Sequence, residues 1–440
     1  MTLKEQLETS GVRYALASFV DLHGVCKAKA VPLAHLEQML AGSELFTGAA
    51  LDGVPQEVSD DEVAAVPDPG SMTILPWQPE VAWFASDLHL HGRPFEACSR
   101  TILRRQCSAA AAMGYRFNLG IETEFFVLRR DAQGSLVPYS DRDVLDKPAY
   151  DVRGLLDNLP WLDELVSAMN RLGWGVYSFD HEDGPGQFET DFDYADALTM
   201  ADSIMTFRMI VKEIAAMHNV HATFMPKPLE GIQGSGMHLH LSLFKGEDNA
   251  FFDASDPYNL SATAKSFMAG LLFHAAEITA VTNQTVNSYK RLVPGFEAPV
   301  HMTWARNNRS GLIRVPVPKR GSASATRIEY RSPAPACNPY LAFSVILAAG
   351  LKGVREGYEL APEADANLFE MDDTSLAKLG VQQLPQSLND ALRLMEESAL
   401  VHEALGEHIF DWFLRNKHRE WRQYKTQVTP FELKTYLRSI

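Results

Sequence analysis

Apolar and polar residues alternate with a period of two through several short stretches of this chain and with a helical period through others. Tyr14 to Val20 and Ala28 to Val31 read as strands on either side of the turn Asp21-Leu22-His23-Gly24, and Pro76 to Leu88 as a further extended stretch. A helix is expected over Thr101 to Met113, with Ser99 as its cap. The longest apolar run, Tyr340 to Leu351, follows Pro339 and stops at Lys352. It is shorter than the roughly 20 residues a membrane-spanning helix needs, so a buried helix is expected. Strands and helices interleave without a regular strand–helix–strand repeat, which predicts an α+β fold. The change of texture near Ser99 divides it into a small mixed domain, 1–98, and a larger one, 99–440.

The same period of two gathers chemistry onto single faces. In Leu119 to Leu128 a strand points Glu122 and Glu124 one way and Ile121 and Phe125 the other. In Gly234 to Ser242 it separates His238, His240 and Ser242 from Met237, Leu239 and Leu241. In Arg327-Ile328-Glu329-Tyr330-Arg331, Glu329 stands between two guanidinium groups, and Glu182 and Glu189 flank a Gly-Pro-Gly turn. Each segment alone describes the wet face of an edge strand or a cross-strand ion pair. Together, five Glu and one His (Glu122, Glu124, Glu182, Glu189, Glu329, His238) form a mostly oxygen ligand set suited to Mg²⁺ or Mn²⁺ and unlike a structural zinc site. The nearby arginines point to phosphate at the same place.

Composition removes other classes. The net charge of −16 argues against nucleic acid as a partner, because neutralising phosphates takes clustered Lys and Arg. Four cysteines without a CxxC pair fit reduced thiols, and the first eleven residues lack the basic start and apolar core of a secretion signal, so a cytoplasmic protein is expected.

Two longer motifs, Asn287-Ser288-Tyr289-Lys290-Arg291-Leu292-Val293-Pro294-Gly295-Phe296-Glu297-Ala298-Pro299 and Met225-Pro226-Lys227-Pro228 with the Gly-Ser-Gly-Met-His that follows, resemble those of the glutamine synthetases. The likeness is greatest to the type III, GlnT-like glutamate–ammonia ligases and their γ-glutamylmethylamide synthetase relatives, and it runs through essentially the whole chain. It implies a β-grasp-like N-terminal domain, a catalytic domain with an antiparallel sheet flanked by helices, and a homo-oligomer, commonly a dodecamer of two hexameric rings with active sites between subunits. It also implies a two-step reaction in which glutamate is phosphorylated by ATP and the γ-glutamyl phosphate is attacked by ammonia or a small amine. By the same resemblance Glu124, Glu182 and Glu189 hold the metal that organises glutamate, and Glu122, His238 and Glu329 the metal that bridges the ATP phosphates, in a site of two to three Mg²⁺ or Mn²⁺ ions. Gln233, Gly234, Arg291 and Arg331 are then expected on glutamate, and Tyr194, His240, Ser242, Arg314, Lys319 and Arg327 on ATP. Arg309 is expected to stabilise the transferring phosphoryl group, and Glu297 to take a proton from the nitrogen.

Two departures from the family pattern stand out. Where the family has Phe-Asp-Gly-Ser-Ser, this chain has Phe46-Thr47-Gly48-Ala49-Ala50, so Thr47 replaces the acid that binds ammonium, with Asp52 or Glu57 as candidates to compensate. An alkylamine is therefore expected to be accepted at least as well as ammonia. Where some members carry an adenylylated Tyr, this chain has Asn367-Leu368-Phe369, which offers no phenolic acceptor. The alternatives are γ-glutamylation of a larger amine, such as a polyamine or aromatic amine, and a non-catalytic relative; the second is disfavoured because every alignable ligand is present.

Overall fold

The computed structural model describes residues 1–293, 298–306, 310–316, 323–364, 368, 371, 376 and 381–440. Its first sheet runs, in spatial order, Cys26–Pro32, Tyr14–Val20, Val81–Leu90, Val63–Pro67 and Glu44–Phe46, with two short strands added to Val81–Leu90. Tyr14–Val20 is antiparallel to Cys26–Pro32 and parallel to Val81–Leu90. Its alternation buries Ala15, Ala17 and Phe19 in the core. The extended stretch expected from Pro76 begins only at Val81, because Leu75 to Val81 is a turn closed by the Gln78 and Val81 amides.

Past the last strand of this sheet, Arg93–Pro94, the chain enters the helix Ser99–Ala112. Ser99 is its first residue and not its cap. Cys98 takes the cap position without a side-chain bond, while Ser99 Oγ donates to the Val20 carbonyl at 3.0 Å and so ties the helix to the first sheet. Beside it, the buried Arg100 donates to Asp202 at 2.9 and 3.0 Å, to Asp68 at 2.9 Å and to Asp87 at 3.3 Å. One guanidinium thus links the first sheet to the helix Ala197–Met217.

The second sheet has twelve strands among the described residues; its main path is Leu136–Pro138, Phe125–Arg130, Gln187–Asp191, Arg116–Thr123, Met237–Lys245, Ile328–Tyr330, Gly311–Arg314 and His301–Ala305. It is antiparallel as expected except at one edge, where His301–Ala305 and Gly311–Arg314 run parallel. One face carries Leu119, Ile121, Met237, Leu239 and Leu241, all nearly inaccessible, onto a helical layer. That layer centres on Ala262–Thr282 and Pro339–Glu356, the latter being the buried helix expected from the apolar run. Asn338 caps it by accepting from Tyr340 N and Leu341 N, and Gly357 ends it in the left-handed conformation. The two helices approach at glycines: a Cβ on Gly353 would sit 2.1 Å from the Ser266 carbonyl oxygen, and one on Gly270 2.3 Å from that of Ala349.

Candidate functional site

The face of the second sheet opposite the helices is the polar one. Glu122, on Arg116–Thr123, stands directly across the ladder from His238 on Met237–Lys245, and His240 is paired with Glu329 on Ile328–Tyr330. Glu124 lies one residue beyond its strand. There its amide donates to the Gly236 carbonyl, and its Oε2 accepts from Gly236 N at 2.8 Å and Gln187 Nε2 at 2.9 Å. His238 sits among three carboxylates: Nδ1 is 3.6 Å from Glu122 and 3.7 Å from Glu329, and Nε2 is 3.6 Å from Glu124. These separations are too long for good hydrogen bonds and suit donors that share a cation.

Glu182 and Glu189 come from the hairpin Ser178–His181 and Gln187–Asp191. Gly186 turns it at φ 77°, where a Cβ would also press on the Val127 carbonyl at 3.0 Å. His181 is fully buried beneath. Its Nε2 is 2.8 Å from Asp143 and its Nδ1 2.8 Å from the Glu182 carbonyl oxygen, and although burial opposes protonation, Asp143 raises its pKa.

Glu122, Glu189 and His238 bring ligand atoms within 4.8 Å of one another, and so do Asp180, Glu182 and Glu189. Glu189 thus belongs to both groups, and Asp180 joins the set expected from sequence. Burial, then Glu124 and Asp180, push the Glu182 carboxyl up to about 9. Burial followed by Glu122 and Asp180 takes Asp191 up to about 7, and burial followed by Glu122 and Glu182 takes Glu189 well above the carboxylate range. Burial works against ionisation of Glu122 and Glu329 too, but there the histidines, joined at Glu329 by arginines, outweigh it and hold both below the usual value. So many carboxylates do not ionise together in a buried space without cations. Asp191 Oδ1 is buried with no hydrogen-bond partner among the described residues, and the ligand atoms are nearly all oxygen. The residues therefore fit hard divalent ions.

These groups line a cavity of about 450 Å³, together with Gln233, Gly234, Arg291, Arg314 and Arg331. Arg291 is buried, with Nη1 on the Ser332 carbonyl at 2.7 Å and Nη2 on that of Arg331 at 3.1 Å; burial lowers its pKa to about 10. The Gly-Ser-Gly run exists for this side chain: a Cβ on Gly236 would lie 2.3 Å from Arg291 Nη2. Arg314 Nε bonds Glu329 Oε2, and Arg331 Nε is 3.4 Å from Oε1. Arg327, expected beside Glu329, instead donates to His240 Nδ1 at 3.0 Å, and His240 Nε2 is 2.6 Å from Glu122 Oε1.

A second cavity of about 280 Å³ opens on the far side of Glu122, lined by Gly120, Ile121, Tyr177, Phe192, Tyr194, His240, Ser242, Ala325 and Arg327. Tyr194, His240, Ser242 and Arg327 thus share a pocket. Thr47 lines neither cavity: it is exposed just past the edge strand Glu44–Phe46, with its hydroxyl 2.9 Å from Glu62. Its candidate substitutes are engaged, Asp52 by Arg419 and His23, Glu57 by Arg415. Glu297, Arg309, Lys319, Asn367 and Phe369 lie outside the described residues. Sequence reasoning missed Asp180 and Asp191. Their signal was the same period of two, Asp180-x-Glu182 and Glu189-x-Asp191.

Residues 96–436 match the model of the glutamine synthetase catalytic domain. The chain belongs to the glutamine synthetase family. Glutamine synthetases of Mycobacterium bovis (44% identical, covering 98% of this chain and 97% of the relative) and Methanococcus maripaludis (41%, covering 99% and 98%) align end to end with it. Among solved structures, an ADP complex of GmaS superposes with a TM-score of 0.92 at 37% identity, and ligand-free GmaS with 0.91 at 38%, each covering 99% of both chains. Glutamine synthetase family members are ATP-dependent, divalent-metal-dependent ligases that form a C–N bond between glutamate and ammonia or an amine, and this chain is such a ligase. No helix among the described residues is long and apolar enough to cross a membrane.

Proposed function

We propose that the enzyme γ-glutamylates ammonia or a small primary amine, and that the two cavities meeting at Glu122 hold glutamate and ATP. The observation that carries this reading is Glu122 itself, a carboxylate common to both cavities. A phosphate chain bound there lies between an adenosine pocket (Tyr194, His240, Ser242, Arg327) and an amino-acid pocket (Gln233, Gly234, Arg291, Arg331).

Glu124, Glu182 and Glu189 on one side, and Glu122, His238 and Glu329 on the other, would hold the two to three Mg²⁺ or Mn²⁺ ions, which would supply neutralisation of phosphate and carboxylate charge during phosphoryl transfer. The guanidinium groups of Arg291 and Arg331 orient glutamate. Its γ-carboxylate oxygen then attacks the terminal phosphorus, the bond to ADP breaks, and Arg314, Arg327 and, by resemblance, Arg309 and Lys319 take up charge on the transferring group. The amine nitrogen attacks the acyl carbon, phosphate leaves, and Glu297, again by resemblance, accepts the proton.

Thr47 replaces the ammonium-binding acid, and Asp52 and Glu57 are already occupied by arginines, which supports an alkylamine as acceptor. The exposed position of Thr47 on the 1–98 unit supports a ring assembly in which a neighbouring copy closes the site, as in the family's dodecamers. Four free cysteines agree with a cytoplasmic setting. Mass spectrometry of γ-glutamyl products across an amine panel, with glutamate, ATP and Mg²⁺ or Mn²⁺, tests the reading. Strong preference for ammonia rejects the alkylamine assignment, and no product with any amine rejects the whole.

A further inference from the structure

A third cavity, of about 320 Å³, opens where the first sheet meets the helix Ala197–Met217, and the reaction above makes no use of it. Met72 and Trp83 line it from the sheet, Leu198 and Ser203 from the helix, and Trp174 from just past the helix Val152–Arg171. It is as roomy as the cavity read above as the nucleotide's and shares no lining residue with it.

The charged groups of its wall are already engaged. Arg100 holds Asp202 and Asp68, Asp202 Oδ1 also accepts from Tyr340 Oη at 2.6 Å, and Asp68 Oδ1 accepts from Gly70 N at 3.0 Å. An ion of either sign therefore finds no free partner here. Two polar groups remain. The Trp83 side chain is packed with Leu75, Val81 and Ala85 and is 2% exposed, yet its Nε1 has no hydrogen-bond partner among the described residues. A buried indole N–H ordinarily finds an acceptor. The half-buried Ser203 hydroxyl has no partner among the described residues either.

Trp174 ties this cavity to the nucleotide's. Its ring stacks on that of Phe192, with centroids 5.3 Å apart and planes 24° from parallel, and Phe192 lines the second cavity. A cleft with indole and aliphatic walls, an unused donor and no unpaired charge suits a flat, neutral ring that carries an acceptor. We infer that this cleft is a second binding site, for a neutral bicyclic heteroaromatic molecule of nucleobase size, which accepts from Trp83 Nε1, packs against Trp174 and, by bracing the Trp174–Phe192 stack, tightens nucleotide binding. Occupancy stands on the cleft alone; the effect on the nucleotide rests on the reading of the second cavity given above.

The probe is hypoxanthine, which is neutral and carries ring-nitrogen and carbonyl acceptors. Indole matches its size without an acceptor, and quinoline-2-carboxylate adds a charge. Calorimetry on the full-length enzyme in saturating ADP and Mg²⁺, which fill the nucleotide cavity, is expected to show hypoxanthine bound and both controls weaker by roughly two- to tenfold, the scale of one hydrogen bond. Trp83→Phe keeps a ring and removes the N–H, so hypoxanthine loses the same factor and indole loses nothing. Ser203→Phe fills the cleft and abolishes binding of both. In the ligase assay hypoxanthine lowers the KM for ATP by about fivefold, at the lower end of ordinary coupling between sites, and leaves kcat unchanged. Both variants keep the wild-type kcat and lose the effect. No binding to the wild type, or binding indifferent to Ser203→Phe, overturns the site, and the second result decides alone if Trp83→Phe fails to fold. A KM for ATP that rises equally in all three proteins marks competition in the nucleotide cavity and overturns the coupling. An enzyme that binds no ADP overturns the nucleotide reading itself, whereas hypoxanthine binding that Ser203→Phe removes still upholds the cleft.

Discussion

His240 Nε2 lies 2.6 Å from Glu122 Oε1 while its other ring nitrogen accepts from Arg327 Nε at 3.0 Å. The imidazole therefore connects the Arg327 guanidinium to the Glu122 carboxylate, the proposed nucleotide and cation contacts, and with Nδ1 accepting, it carries its proton on Nε2, toward Glu122. Removing a group that orients a metal ligand costs about 10–100-fold in metal affinity. His240→Ala is expected to weaken Mn²⁺ binding by about that factor, read by calorimetry, while leaving the fold intact by circular dichroism. Unchanged Mn²⁺ affinity contradicts the role.

Stability of the cation-free protein should fall as pH rises. Glu182, at about 9 against an ordinary 4.5, and Asp191, at about 7 against 3.8, bind protons more tightly folded than unfolded. Their contribution is fully present below the unfolded values and is lost as pH climbs through the folded ones. In EDTA the Tm is expected to drop from pH 5 to 9, and saturating Mn²⁺ to flatten the drop, with protons released on binding. A Tm in EDTA that does not respond to pH would remove the basis for this.

Arg100 is expected to be structural. Replacing it with Met strands Asp202, Asp87 and Asp68 at the junction of the first sheet and the helical layer. Breaking a buried ion pair from one side costs about 3–5 kcal/mol. Denaturant unfolding of Arg100→Met measures it, and a loss under about 1 kcal/mol would mean the carboxylates find other partners.

Gly353→Val should destabilise through sterics alone, because its Cβ meets a backbone oxygen and no flexible side chain can yield. Overpacking of this kind costs about 1–3 kcal/mol, and more where backbone must move. The thermal midpoint of the purified variant is the check.

Thr47→Asp introduces a carboxylate at the position that, by resemblance, is the family's ammonium-binding acid. The ratio of methylamine to ammonia use is expected to fall by about tenfold, the scale on which a single contact discriminates small substrates. Steady-state kinetics with both amines decide it, and an unaltered ratio would show that Thr47 does not reach the acceptor.

Much of the architecture was legible because one face of each element is apolar. The alternation in Met237–Lys245 fixed both the strand and which side chains face the cavity, and the apolar residues of Tyr14–Val20 fixed that strand in the first sheet. The unbroken run after Pro339 could only be a helix buried all round. Where reading failed, the cause was non-local. Ser99 has the composition of a cap, yet its hydroxyl is taken by Val20, 79 positions earlier. Arg327 is two residues from Glu329 and should share its face, but Arg314 from the neighbouring strand fills that place and Arg327 turns to His240. Asp180 and Asp191 lay in plain view as partners at i and i+2. What concealed them was the absence of any local sign that the two arms of the hairpin fold over the same point as His238.

The bonds from Tyr150 to His181 and from Asp143 to Gly186 make the Asp143–Tyr150 loop part of the hairpin that carries Glu182 and Glu189. Evolution is thereby constrained: an insertion or deletion in this loop also disturbs the hairpin's carboxylates, so the loop should diverge by exchanging side chains on a fixed backbone.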